Sequence, residues 1–148
     1  MEDIFVVGVG MTPFGRMPDT SIKAMSAEAV SAALTDAGLE ASALEAVYFS
    51  NATQGYMQGQ HMIRGEIVMR SMGVGGIPVV NVENACASGS TALNLAMNHL
   101  RAGEGDVAMA LGAEKMFSTD KALMFGAFDS GWDVASDAEN RERLLALG

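Results

Sequence analysis

Four short apolar runs rich in β-branched residues punctuate the chain: Ile4 to Val9, Ala46 to Phe49, Val79 to Val82 and Asp106 to Gly112. Glycine, proline or asparagine bounds them, which is how buried strands are set off from their connections. The stretches between them are long enough for helical crossovers, so the order reads β-α-β-α-β-α-β with mostly parallel strands, an α/β architecture. Ile4 to Val9 is apolar at every position and reads as a strand buried on both faces, central in its sheet. Ser21 is placed to cap a helix running to Ala37 and closed by Gly38, with Ile22, Met25, Ala29, Ala33 and Leu34 as its apolar stripe. A second helix, Gln60 to Met72, carries Met62, Ile63, Ile67, Val68, Met69 and Met72, more apolar surface than one stripe needs. Glu66 and Arg70 stand at i, i+4 on it, the spacing of a surface ion pair.

The third strand leads into Asn81-Val82-Glu83-Asn84-Ala85-Cys86-Ala87-Ser88-Gly89-Ser90, which contains the only cysteine of the chain. Gly89, Ala92, Leu93, Ala96, Met97 and Leu100 recur at helical spacing, so Cys86 falls where a strand turns into a helix. Backbone N–H groups there lack intrahelical partners and the helix dipole is positive, which favours a thiolate and a developing oxyanion. That is the position of a nucleophile. The dipole supplies at most about 2 kcal/mol to an anion held there, so such a nucleophile still needs a base. Of the two histidines, His99 lies thirteen residues farther along the same helix, roughly 20 Å at 1.5 Å per residue. It cannot reach Cys86, and beside Asn98 and Arg101 it reads as part of a solvated helix end. His61 opens the second helix at the carboxyl edge of the sheet. It is a capping or interface residue on the simpler reading and a functional one on the other.

Gly8-Val9-Gly10 is not a dinucleotide fingerprint, because Pro13 stands where the third glycine belongs and no helix opens there. No Gly-Lys-Ser/Thr follows, which excludes a Walker-type phosphate loop. These glycines read as a tight turn at a strand end.

Asn84-Ala85-Cys86-Ala87-Ser88-Gly89 with Ala92 resembles the nucleophile segment of the thiolase superfamily. Gly112-Ala113-Glu114-Lys115-Met116 is similar to that family's segment after the following strand. Gly8-Val9-Gly10-Met11-Thr12-Pro13-Phe14-Gly15 resembles the opening of the sterol-carrier-protein and lipid-transfer branch. The resemblance implies a thiolase half-fold with strand order 3-2-1-4 and helices on both faces, the cysteine helix alone on its own. It implies a core over residues 1–116, with 117–148 starting a loop region that covers the acyl group; a loosely packed tail is the plainer reading of that stretch. It also implies acyl transfer between coenzyme A thioesters through an acyl-cysteine on Cys86, coenzyme A entering as substrate and no further cofactor or metal being required. In the family the general-base histidines and a second cysteine lie in a C-terminal half beyond the segments matched here. A homo-oligomer, or a complex with such a half, is therefore expected, and this chain alone is expected to be weakly active or inactive. The neighbouring alternatives are a decarboxylating condensing enzyme, a non-catalytic assembly subunit, and an unrelated α/β protein with a reactive thiol.

Composition bounds these readings. A formal charge of -9 argues against nucleic acid or an anionic membrane surface as partner. One cysteine leaves no internal disulfide and fits a reducing, cytoplasmic setting. No apolar run approaches the ~20 residues that span a bilayer.

Overall fold

The computed structural model describes residues 3–148. Its centre is a three-stranded parallel sheet of β1 (Ala46–Ser50), β2 (Val79–Val82) and β3 (Ala108–Gly112), in the order β2-β1-β3. β1 pairs Val47 with Val79 on one side and with Met109 on the other, so alternate residues of all three strands share a face. On one face Val47, Phe49 and Leu111 meet Ile22 and Val30 of α1 (Ile22–Ala37) and Val68 and Met69 of α3 (Arg64–Ser71) to form the core. Val47 and Phe49 are wholly buried, each contributing roughly 1.5–3 kcal/mol of transfer free energy. On the opposite face α4 (Ser88–Arg101) lies over β3 and β1. The Tyr48 ring meets the His99 ring of α4 edge-on, at 6.1 Å between centroids. Helices thus cover both faces, with the cysteine helix alone on its own.

α1 forms as its sequence dictates. The Ser21 hydroxyl oxygen accepts the Ala24 N–H at 3.1 Å, and Gly38 takes the left-handed conformation (φ 65) that returns its N–H to the last turn.

Two expectations about order are corrected. Ile4 to Val9 is not a strand and not central: the sheet has three strands, and the fourth expected strand, β3, sits directly beside β1 where the first was expected. Both edges of β1 are thereby occupied. The N-terminal segment lies instead along α1, and Phe5, Val6, Val7 and Val9 are between 60% and 75% exposed. The Val9 N–H finds the Asp36 carboxylate (2.9 Å) rather than a ladder partner. Gly8 and Gly10 serve this approach, not a turn; a Cβ on either would run into the Ala33 or Ala29 carbonyl oxygen of α1. An apolar run shows that a segment suits an apolar surface, and leaves its pairing partner open. Between this segment, α1, α4 and the outer edge of β3 lies an apolar cavity of about 450 Å³, lined by Leu34, Leu93, Met97 and Leu100 among others.

The second helix is also shorter than expected. α3 starts at Arg64, after Ile63 in the left-handed region (φ 48), and a separate one-turn helix α2 (Gln54–Gln58) precedes it. Met62 and Ile63 are exposed in the loop between them. Glu66 does not pair with Arg70; its carboxylate accepts from Asn81 Nδ2 at 2.6 Å. Gly65 is the contact point of α3 with the sheet, since a Cβ there would come within 2.6 Å of Phe49 Cβ and 2.9 Å of Val79 Cγ1.

Beyond residue 117 the expected single helix is two, α5 (Lys121–Asp129) and α6 (Asp137–Ala146). α5 packs on α2, where Gly126 leaves room for the Tyr56 hydroxyl. α6 buries no residue and carries exposed i, i+4 pairs, Asp137–Arg141 and Glu139–Arg143, which water screens to a small effect. Among the described residues no helix is long and apolar enough to cross a membrane.

Candidate functional site at the carboxyl edge of the sheet

All three parallel strands end on the same side, and the connections leaving them meet there. Asn51 N–H bonds the Val82 carbonyl and Ala113 N–H bonds the Ser50 carbonyl, so the ends of β2, β1 and β3 are stitched together one residue past the ladder. Gly112 is glycine for a local reason: a Cβ would sit 2.6 Å from the Ser50 hydroxyl, which bonds the Leu111 carbonyl. α4 begins above this point, with Gly89 against Ser50.

Cys86 stands exposed at the entry to α4. It belongs to a 3₁₀ turn, Ala85–Ala87, that runs on into the α-helix at Ser88, a common way for helices to begin. Ala85, immediately before it, has φ 46, a left-handed conformation that costs a residue with a Cβ roughly 1–2 kcal/mol. Hydrogen bonds hold it there. The Ala85 N–H donates to the Glu83 carboxylate (2.6 Å), its carbonyl accepts from the Ser88 hydroxyl (2.7 Å), and the same hydroxyl accepts the Asn84 N–H (2.8 Å). Asn84 Nδ2 donates to Thr91 Oγ1 at 3.0 Å, tying the turn to the first turn of the helix. Asn84, Ala85 and Ala87 N–H groups are all engaged in this way or by the Asn84 carbonyl. Among the described residues the backbone N–H of Cys86 meets no acceptor beyond its own turn, which leaves it a donor beside its thiol.

Opposite lies a second network. Asn51, 2% exposed, follows β1 directly; its Nδ2 donates to the Ala113 carbonyl (2.6 Å) and to Glu114 Oε1 (3.2 Å). Its Oδ1 accepts from the Gln54 N–H (3.0 Å) and from Arg64 Nη1 (2.9 Å). Glu114 collects the Ala52 and Thr53 N–H groups and the Thr53 hydroxyl as well. The Gly112-to-Met116 segment is thereby anchored to the loop after β1. On its far side Lys115 Nζ holds the Pro18 and Thr20 carbonyls at 2.6 Å each.

Neither histidine joins Cys86. His61 is exposed in the loop between α2 and α3, not at a helix start, with its ring against Gly55. His99 is not part of a solvated helix end: it is 9% exposed, packed on Tyr48, with Nδ1 3.3 Å from Glu104 Oε2. It sits in the last turn of α4, at the opposite end of that helix from Cys86. Among the described residues no group of three or more His, Cys, Asp or Glu side chains could hold a metal ion. The residues that sequence reading passed over are Asn51, Glu83 and Ser88. Asn51 had a local signal, a side chain able to cap the turn three residues ahead, whereas its bonds to Ala113 and Glu114 join positions about sixty residues apart and leave no mark on spacing.

Residues 4–141 match the family model described as the N-terminal domain of thiolase. The chain is 33% identical over 136 residues to an acetyl-CoA acetyltransferase of Methanocaldococcus jannaschii, covering 90% of this chain and 34% of that one. It is 39% identical over 115 residues to sterol carrier protein 2 of Gallus gallus, covering 76% of this chain and 20% of that one. It therefore spans about a third or less of the length of these relatives. Among solved structures, the Acat5 thiolase from Ascaris suum in complex with coenzyme A superposes with TM-score 0.67 at 20% identity, over 78% of this chain and 31% of that chain. A 3-oxoacyl-[acyl-carrier-protein] synthase III from Aquifex aeolicus gives 0.59 at 18% identity, over 71% and 35%. At such identities these two establish the fold alone.

Proposed function

Because the chain belongs to the thiolase family through its N-terminal domain, we propose that it carries the nucleophile half of a thiolase-type acyltransferase. The observation that carries this reading is Cys86, exposed on a strained turn at the carboxyl edge of a parallel sheet and at the entry to a helix. The Cys86 thiolate attacks the carbonyl carbon of an acyl-CoA thioester. The S–C bond to the enzyme forms, the bond to coenzyme A breaks, and the departing thiolate takes up the proton that Cys86 gave to a base. A second coenzyme A thiol, or the carbanion of a second thioester, then takes the acyl group. The backbone N–H of Cys86 supports the oxyanion in both steps.

The base comes from outside the described residues, since His61 and His99 are placed elsewhere. A C-terminal thiolase segment, on the same polypeptide or on a partner, supplies it. The assay is acyl exchange between an acyl-CoA and free coenzyme A, with such a segment added in trans or fused. Exchange should appear on complementation and vanish in Cys86→Ala. A stable complex that never exchanges would favour a non-catalytic assembly role.

A further inference from the structure

The turn before Cys86 is held in a conformation that its own residue does not favour, and one buried hydroxyl closes it. Ala85 lies at φ 46, where glycine is at ease and a residue with a Cβ is not. Ser88 is 6% exposed, and both hydrogen bonds of its hydroxyl go to this turn. It accepts the Asn84 N–H at 2.8 Å and donates to the Ala85 carbonyl at 2.7 Å. A serine in the first helical turn commonly bonds the carbonyl three residues back and nothing more. Here the second bond, to the N–H four residues back, completes a ring around Ala85. Glu83 holds the Ala85 N–H from the other side, but it is exposed, so water can replace its contact.

We propose that Ser88 is a positioning residue for Cys86: it fixes Ala85 in the left-handed conformation and so aims the thiol and the Cys86 N–H at one point. The inference rests on the reading of Cys86 as the nucleophile. Without the hydroxyl, Ala85 relaxes to an ordinary backbone conformation, the 3₁₀ turn reorients, and thiol and N–H no longer converge.

The test uses the full chain and two readouts that do not require acyl transfer: the rate at which iodoacetamide alkylates Cys86 near neutral pH, and the amide-to-Hα nuclear Overhauser effect within residue 85, which is strong at positive φ and weak at negative φ. Ser88→Ala should slow alkylation about five- to thirty-fold, the population change that the left-handed penalty of one residue sets, with the Overhauser effect within residue 85 weakening. Ser88→Thr, which keeps the hydroxyl, should stay near wild type. Ala85→Gly placed in the Ser88→Ala background should restore most of the rate, because glycine holds positive φ unaided. A loss of general packing would not be repaired by that second change. An unchanged rate in Ser88→Ala, or no rescue by Ala85→Gly, overturns the proposal. Should Ser88→Ala not fold, the wild-type Overhauser effect within Ala85 decides: a weak one, the mark of an ordinary negative φ, overturns it as well. If Cys86 is never acylated in the complemented protein while Ser88→Ala still slows alkylation with glycine rescue, the nucleophile reading falls and the positioning role stands.

Discussion

Asn51→Asp is the sharpest perturbation of the edge on which Cys86 stands. The substitution is nearly isosteric but converts Nδ2, which donates to the Ala113 carbonyl and to Glu114, into a second acceptor. Losing two partly buried hydrogen bonds costs about 1–3 kcal/mol together. The introduced carboxylate also stands about 3 Å from that of Glu114, where two unit charges repel by roughly 1 kcal/mol in water and about 5 kcal/mol at an effective dielectric of 20. Glu114 is exposed, which favours the lower figure, and Arg64 on the other oxygen offsets part of it. The net expectation is a loss of about 2–4 kcal/mol, read as a lower urea midpoint at unchanged slope. Adding Glu114→Gln removes the repulsion and should return about 1–2 kcal/mol relative to the sum of the single changes. A loss below about 1 kcal/mol for Asn51→Asp, or strict additivity in the double variant, would refute the network as the clamp between the β1 and β3 ends.

The carboxylate of Glu45 accepts the N–H of Asp106 first and of Val107 second, and its pKa is lowered below the ordinary 4.5. A carboxylate depressed in the folded state stabilises above its unfolded pKa and loses that contribution as pH falls through the folded value. Wild type should therefore lose stability on acidification below about pH 4.5 more steeply than Glu45→Gln, and parallel pH–stability curves would contradict the contact. Gly65→Ala adds a methyl against Phe49 and Val79; overpacking should cost about 1–3 kcal/mol in a denaturation series. A more stable variant, as helix propensity alone would give, would show that α3 does not approach the sheet so closely.

Much of this fold was legible from residue type alone. Ser21 and Gly38 bracket α1 because a hydroxyl cap and a left-handed glycine are local chemistry. The Val79-to-Val82 run and the small-residue stripe after Cys86 placed a strand and a helix by period. Ile4 to Val9 was misread because apolarity carries no information about pairing: Gly8 and Gly10 were needed for contact with α1, which is a tertiary fact. His99 looked solvated between Asn98 and Arg101, yet Tyr48 covers it from a position fixed only once β1 lies under α4, and Glu104 meets its ring from the turn after the helix. At the site, the cysteine was visible as a unique residue at a strand-to-helix junction. Asn51, Glu83 and Ser88 were not: Glu83 and Ser88 bond backbone groups, which any chain offers everywhere, and Asn51 finds Ala113 and Glu114 about sixty residues away. The positive φ of Ala85 and Ile63 was likewise hidden, neither being a residue that seeks that region.

The central claim is that Cys86 takes the acyl group. The complemented protein, mixed with an acetyl-CoA carrying an isotopically labelled acetyl group, quenched in acid and digested, should yield the label on the peptide containing Cys86. Hydroxylamine should remove it, as it does a thioester, and Cys86→Ala should show none. Label on any other peptide, or full exchange activity in Cys86→Ala, would contradict the account.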